Sequence, residues 1–175
     1  MSRKESRRQL LLRYNKELQR NLLAKPGKNE FVLVLDQLKA GFNVAKIFRS
    51  AEAFGAAAVH LVNIAPFDPA PAKGSFRKVP AVFHETFAGC HNTLDSEGYT
   101  FFLLVPGEAR ALYTTQLPHK SVFVLGHEEF GFSFMEQDYQ DLQRLTIPHL
   151  GSVQSLNVSI AASVVMYEYV RQRQT

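Results

Sequence analysis

Three short polar stretches of this chain carry side chains able to do chemistry, and each adjoins an apolar run. In the first, Asn43 and Arg49 lie six residues apart within NVAKIFRSAEAFG, residues 43–55. On a helix that spacing is about 9 Å along the axis, at a rise of about 1.5 Å per residue. An amide and a guanidinium so placed can bracket a phosphate–ribose unit; the plainer readings are an N-cap at Asn43 and a surface arginine. In the second, GHEEFG at 126–131, two glycines frame Glu128. Such turns bring backbone groups close to a ligand, and a carboxylate there either serves the site or only accepts N–H bonds that hold the loop. In the third, IPHLGSVQSLN at 147–157, Ser155 and Asn157 precede a very apolar segment. They shape a site or simply cap the helix that follows.

Other chemistries lack support. There is no G-x-G-x-x-G after the first strand and no phosphate loop ending G-K-[ST], so the glycines that let amides approach a nucleotide phosphate are missing. His127-Glu128 opens H-E-E-F-G and not H-E-x-x-H, no G-x-S-x-G elbow is present, and Cys90 is the sole cysteine. Neither a disulfide within the chain nor a cysteine-cluster metal site can form, and no metal is expected.

The elements that must position these residues follow from apolar periodicity. Runs at 31–35, 57–64, 99–105, 121–125 and 145–147 read as strands, the first ending at Asp36. Asn43 to Phe54, 88–97 and Asn157 to Arg171 read as helices, and Ser133 to Asp141 as a further one, with Ser133 and Glu136 in a capping-box pattern. Residues 81–87 are ambiguous between strand and helix, and 106–120 are irregular. This βαβ alternation implies an α/β fold of five or six mostly parallel strands with helices on both faces, whose ligands bind beyond the strands' carboxyl ends. All three polar stretches sit there. The segment 65–80, with four prolines and one glycine, reads as a long functional or mobile loop. Its Lys73, Arg77 and Lys78 make a positive tip.

Charge divides the 175 residues unequally. Residues 1–28 hold nine Lys or Arg against Glu5 and Glu17, a net +7, whereas the remainder carries −3. The first segment reads as a basic helical arm, broken at Pro26-Gly27, and 29–175 as the main domain. A basic arm on a mildly acidic body suits a polyanionic partner, by counterion release; a solvated helix or an anionic membrane surface are the alternatives. Leu11, Tyr14, Leu18 and Leu22 put an apolar stripe on the arm, widened by Leu10, Leu12 and Leu23, which should dock on the body or on a partner subunit. With no signal peptide and no membrane-length apolar window, the expected location is cytoplasmic.

In order and spacing, the three stretches resemble the motifs of the SpoU–TrmH family of RNA ribose 2′-O-methyltransferases, of the SPOUT superfamily. NVAKIFRSAEAFG matches N-x-G-A-I-x-R-[ST]-A-x-x-F-G, GHEEFG matches G-x-E-x-x-G, and IPHLGSVQSLNVSIAA matches I-P-M-x-G-x-x-x-S-L-N-V-S-x-A-A. Ala45, Lys46 and His149 stand where the family usually has glycine, alanine and methionine. The resemblance implies a deep C-terminal trefoil knot, which no local pattern announces and general rules disfavour. It implies S-adenosylmethionine as cofactor, held around Leu125, Gly126, Ile147, Ser155, Leu156 and Asn157. It implies transfer of a methyl group to a ribose 2′-hydroxyl, with Arg49 as the central catalytic group and Asn43, Glu128, Ser155 and Asn157 beside it. The implied partners are RNA, tRNA before rRNA because the arm is short, and a second copy of the chain; neither DNA nor a membrane is expected. A non-catalytic RNA-binding protein on the same fold is the competing reading.

Overall fold

The computed structural model describes residues 3–174; Met1, Ser2 and Thr175, at the ends of the two expected segments, lie outside the described residues. Seven strands form one sheet: β1 (Phe31–Asp36), β2 (Ala58–Val62), β3 (Ala81–His84), β4 (Thr100–Leu104), β5 (Arg110–Ala111), β6 (Ser121–Leu125) and β7 (Gln143–Thr146). Their order is β3-β2-β1-β6-β4-β7-β5, and every pairing is parallel. The central strands FVLVLD and SVFVL are buried on both faces, as continuous apolar runs in a parallel sheet should be. Among the described residues, four α-helices complete the fold: α1 (Arg3–Asn21), α2 (Phe42–Ala53), α3 (Phe87–Ser96) and α4 (Val158–Arg171). Among the described residues, no helix is long and apolar enough to cross a membrane.

Alternation along β1 separates two layers. Phe31, Leu33 and Leu35 face a core with Tyr14 of α1, Val44, Ile47 and Phe48 of α2, and Val165 and Tyr169 of α4. Val32 and Val34 face a smaller core with Phe87, Cys90 and Leu94 of α3. The connection before β6 packs with the first core through Leu112 and Leu117, whereas the connection after it packs with the second through Phe132, Phe134, Tyr139 and Leu142. These two connections therefore cross the sheet on opposite faces. Gln172 and Arg173, at the end of α4, then bond the backbone of Thr115, Leu117 and Pro118. The C-terminal helix is thus tied to the connection that precedes β6, in agreement with the expected knot.

Five expectations are altered or settled. The sheet has seven strands, not five or six: β5, within the stretch expected to be irregular, is two residues long and too short to show as an apolar run. Residues 133–141 form no α-helix, only a single 3₁₀ turn at Glu136–Asp138. The amide and hydroxyl of Ser133 both donate to Asp36, which fixes Ser133 against the end of β1, and the following aromatics anchor separately on α3. Asn43 is not the N-cap of α2; Gly41 holds that position and Asn43 lies in the first turn. The ambiguous 81–87 resolves as edge strand β3 followed by Thr86, which caps α3 through the Gly89 amide. The 65–80 loop is not open chain: it makes two 3₁₀ turns and buries Phe67 and Phe76.

That loop is what α1 docks on. Tyr14 stacks on Phe76 and meets Phe67 edge-on, and both rings contact Phe48 of α2. Buried Asn21 donates to the carbonyls of Phe76 and Val79 and accepts from the Ala81 amide. The docked line is therefore Tyr14, Leu18 and Asn21, while Leu12, Leu22 and Leu23 of the expected stripe stay exposed. Removing Asn21 leaves two buried carbonyls and an amide unpaired. Asn21→Ala should destabilise the protein by about 2–4 kcal/mol and lower the melting temperature by about 5–10 °C. Calorimetry checks this; a loss below about 1 kcal/mol would mean that α1 is held by its rings alone.

Candidate functional site

Beyond the carboxyl ends of β4, β6 and β7 the chain encloses a cavity of about 820 Å³. Leu125 and Gly126 border it at the end of β6, Ile147 just past β7, and Ser155 and Leu156 before α4. Five of the six residues expected to hold a cofactor thus line one cavity. The sixth, Asn157, sits at its rim as the N-cap of α4.

Asn157 also makes the contact that joins the three polar stretches. Its Oδ1 accepts from the amide of Ser159 at 3.0 Å and from that residue's hydroxyl at 2.7 Å. Its Nδ2 donates to Asn43 Oδ1 at 3.3 Å, and Asn43 Nδ2 donates to Glu128 Oε1 at 2.8 Å. The direction of this relay is forced. A backbone N–H only donates, so Asn157 must present oxygen to Ser159 and nitrogen to Asn43, which must in turn present nitrogen to Glu128. Capping and site-building are thus two ends of one amide, and Asn43 is free for the site because Gly41 takes the helix end.

Arg49 is not drawn into this network. It lies on the exposed side of α2 and makes no hydrogen bond or ion pair among the described residues. Six residues from Asn43, it is rotated by roughly 120° around the axis, with exposed Lys46 between them. Ala45 is fully buried in regular helix, so the departure from glycine needs no unusual backbone there. His149 spans its loop, with its ring nitrogens 3.3 Å from the Ile147 carbonyl and 2.8 Å from that of Val153.

The second stretch is held by the expected turn glycine Gly131, by His127, and from outside the motif by Asp36. The amides and carbonyls of His127 and Gly131 exchange hydrogen bonds, and His127 Nδ1 accepts from the amides of Glu129 and Phe130. Gly131 has φ +72°, a left-handed conformation that glycine adopts without strain. Asp36, fully buried at the end of β1, grips the amide and hydroxyl of Ser133 at 2.6 and 2.7 Å. Burial pushes its carboxyl above the ordinary range, and the two Ser133 bonds pull it back. An acid closing an apolar strand, FVLVLD, was the available signal. Behind this loop, His91 of α3 reaches Asp141 at 2.9 Å and stacks on Phe101.

A parallel sheet with this crossing pattern and a cavity at its carboxyl edge defines a knotted α/β domain of the RNA-methylase type. The model of the SpoU rRNA Methylase family matches residues 30–167, and the chain belongs to that family, within the SpoU–TrmH group. Among curated relatives, the 23S rRNA (guanosine-2′-O-)-methyltransferase RlmB of Pasteurella multocida is 34% identical over 155 residues, 83% of this chain and 61% of its own. An uncharacterized tRNA/rRNA methyltransferase of Synechocystis is 31% identical over 81% of this chain and 38% of its own. The chain thus spans between about a third and two thirds of the curated relatives it matches. Among solved structures, AviRb of Streptomyces viridochromogenes in complex with AdoMet superposes with a TM-score of 0.76 at 24% identity, over 86% of this chain and 60% of that one. A structure described as concerning 2-OH methylation of C/U34 on tRNA gives 0.75 at 26%, over 85% and 99%. These matches carry the fold, knot included.

Gly126 is where the loop closes tightest. A Cβ there would lie 2.7 Å from the Gly131 carbonyl oxygen and 2.9 Å from the Phe132 ring. Gly126→Ala should cost about 1–3 kcal/mol and open the 126–131 turn. Hydrogen exchange at the His127 and Gly131 amides reads this directly: both should exchange faster in the variant, and unchanged protection would show that the turn yields without breaking.

Proposed function

We propose that this protein transfers a methyl group from S-adenosylmethionine to a ribose 2′-hydroxyl of RNA. The observation that carries the reading is the Glu128–Asn43–Asn157 relay, which gathers all three family motifs at the rim of one cavity. The cavity suits the cofactor. Its walls are largely apolar, and between Pro148 and Leu156 no backbone group bonds another backbone group among the described residues. Those amides, and the carbonyls other than that of Val153, which His149 engages, are available to read an adenine and an amino-acid moiety, in a volume normal for small-molecule sites. Leu125, Gly126, Ile147 and Leu156 hold the cofactor in this reading, with Ser155 and Asn157 at the reacting end. When bound, S-adenosylmethionine supplies a methyl group on a positively charged sulfur.

The chain's own residues then handle the hydroxyl. A ribose 2′-oxygen gains negative charge as its proton passes to solvent, and Arg49 is placed to stabilise it because no described residue occupies its guanidinium. As a planar cation with five N–H donors and no acceptor, it clamps charge and an adjacent phosphate and does not act as a conventional base. Asn43 orients the ribose from the middle of the relay, held by Asn157 on one side and Glu128 on the other. A second copy of the chain belongs to this reading, supported by the exposed Ile160 and Tyr167 on α4 beside the site.

The substrate proposed first is tRNA, supported by the match to nearly the whole chain of the structure concerned with C/U34 of tRNA. The relatives named for 23S rRNA make ribosomal RNA the second arm of the test. Labelled methyl transfer to each RNA fraction, from cells lacking the protein, distinguishes them; an alkali-resistant product identifies the ribose oxygen. Arg49→Ala should lower kcat about 10²–10³-fold while leaving cofactor affinity unchanged, since Arg49 is outside the cavity. Transfer at the native rate would remove Arg49 from the mechanism, and RNA binding without transfer by the native protein would favour the non-catalytic reading.

The docked α1 makes the arm and the 65–80 loop one basic surface. Lys16, Lys73 and Arg77 make no ion pair among the described residues, whereas Arg13 pairs with Asp68 and Lys78 with Glu52. These free cations position the RNA through its phosphates and carry no sequence information. Replacing Lys73 and Arg77 by glutamate should weaken RNA binding and flatten its dependence on log salt by about 2. An unchanged salt slope would place the RNA elsewhere.

A further inference from the structure

On the face opposite α1, α2 and α4, three side chains of metal-binding type converge from three elements. His60 comes from β2, His84 from edge strand β3 and Cys90 from α3. His60 Nδ1 is 2.9 Å from His84 Nε2 and 3.6 Å from Cys90 Sγ, and one donor atom from each of the three lies within 4.8 Å of the others. Cys90 and His60 are buried, His84 is half-buried, and the imidazoles stack at 5.0 Å. None of the three lines the cavity at the other strands' ends, and nothing in the methyl-transfer chemistry uses them.

Hydrogen bonding serves only one pair of this trio well, His60 with His84 at 2.9 Å. His60 Nδ1 either carries a proton or offers one in-plane lone pair, so it serves one of its two neighbours well and not both. A metal ion removes the conflict, because each of the three atoms then contributes a lone pair to a common centre. We propose that His60, His84 and Cys90 bind a single zinc ion, with water in the fourth position on the half-buried His84 side. Two imidazoles and one thiolate form a ligand set that zinc accepts, at about 2.0–2.1 Å to nitrogen and about 2.3 Å to sulfur. Tetrahedral angles at those lengths separate the donors by about 3.3–3.7 Å, so the two nitrogens need part by only about 0.4 Å.

The protonation of the two imidazoles agrees with that assignment, whereas the thiol must give up its proton for the metal to bind. Burial, reinforced by the charge on His84, lowers His60 to about 4, and burial lowers His84 as well, so both imidazoles are neutral ligands at neutral pH. Burial and then the Asp36 carboxylate raise Cys90 to about 12, so the free site holds a thiol. Binding therefore breaks one S–H bond, forms one S–Zn bond and releases one proton to solvent; no electron is transferred. One zinc with one thiolate leaves a net positive charge, and Asp36 is the carboxylate near enough to offset it. The sequence could not reveal the site, because a lone cysteine and histidines 6 and 30 residues from it match no ligand-spacing pattern.

The test uses the full chain, freed of metal with chelator, and Zn²⁺ and Co²⁺ as probes. Calorimetry in buffers of different ionisation enthalpy should give one zinc per chain and about one proton released. Co²⁺ should produce a thiolate-to-metal charge-transfer band that one equivalent of Zn²⁺ abolishes. Cys90→Ser and His84→Gln should each remove the band and weaken zinc binding by more than about 100-fold, beyond the loss typical of an outer-shell change. His119→Ala, an exposed histidine elsewhere, should bind as the native chain does. If Cys90→Ser does not fold, the half-buried His84→Gln decides. Absence of the band, or stoichiometric zinc binding unchanged in His84→Gln, overturns the proposal.

Discussion

The amide of Asn157 has one orientation available to it, and the rest of the site depends on that. Because the first free N–H of α4 can only donate, Asn157 must cap with oxygen and reach outward with nitrogen. That nitrogen sets the orientation of Asn43, and Asn43 presents its own nitrogen to Glu128. Each link is an ordinary exposed hydrogen bond, worth about 1 kcal/mol at most. Their consequence is geometric. Residues 43, 128 and 157, separated by 85 and 114 positions from Asn43, are held in one row.

Such a row needs rigid supports, and the fold provides a different one for each member. Asn43 rides on α2, whose buried face packs against the sheet and α4. Asn157 starts α4, whose far end is tied to the 115–119 connection. Glu128 lies in a loop with few apolar contacts, so polar devices hold it: the His127–Gly131 exchange, the His127 ring and the Asp36 grip on Ser133. Burying a carboxylate is unfavourable, and the raised Asp36 carboxyl records that; two donors from Ser133 offset the cost. The same carboxylate adjoins Cys90, so the loop and the His60–His84–Cys90 trio share one buried charge.

On the other face, α1 is an extension of the body through three aromatic rings and one amide latch. Tyr14, Phe67 and Phe76 turn a proline-rich loop into a small core, and Asn21 satisfies backbone groups that a loop of this shape would otherwise bury unpaired. The basic side chains of α1 and of the loop thereby keep a fixed relation to each other. That is the property a surface needs if it is to position a long polyanion relative to a site elsewhere on the same face of the sheet.

Much of this was legible in the residues themselves. Continuous apolar runs gave the central parallel strands, because a strand buried on both faces has no polar side. Helical periodicity gave α2, α3 and α4, and three motifs of fixed spacing gave the family and, through it, the cavity-lining residues Leu125, Gly126, Ile147, Ser155 and Leu156. Where local patterns failed, long-range partners had competed for the same groups. Ser133 reads as a helix cap, but Asp36, 97 residues away, holds its amide and hydroxyl at the end of β1 and no α-helix follows. Asn43 reads as a cap, but Gly41 takes the helix end. The stripe on α1 reads as Leu11, Tyr14, Leu18 and Leu22, but Tyr14 and Leu18 dock together with Asn21 while Leu22 stays exposed. The direction of the Asn157–Asn43–Glu128 relay, the solitary position of Arg49 and the meeting of His60, His84 and Cys90 were decided by tertiary structure alone. Sequence spacing constrains neighbours along one helix or strand, whereas these contacts join separate elements, and only the order of strands in the sheet brings those together.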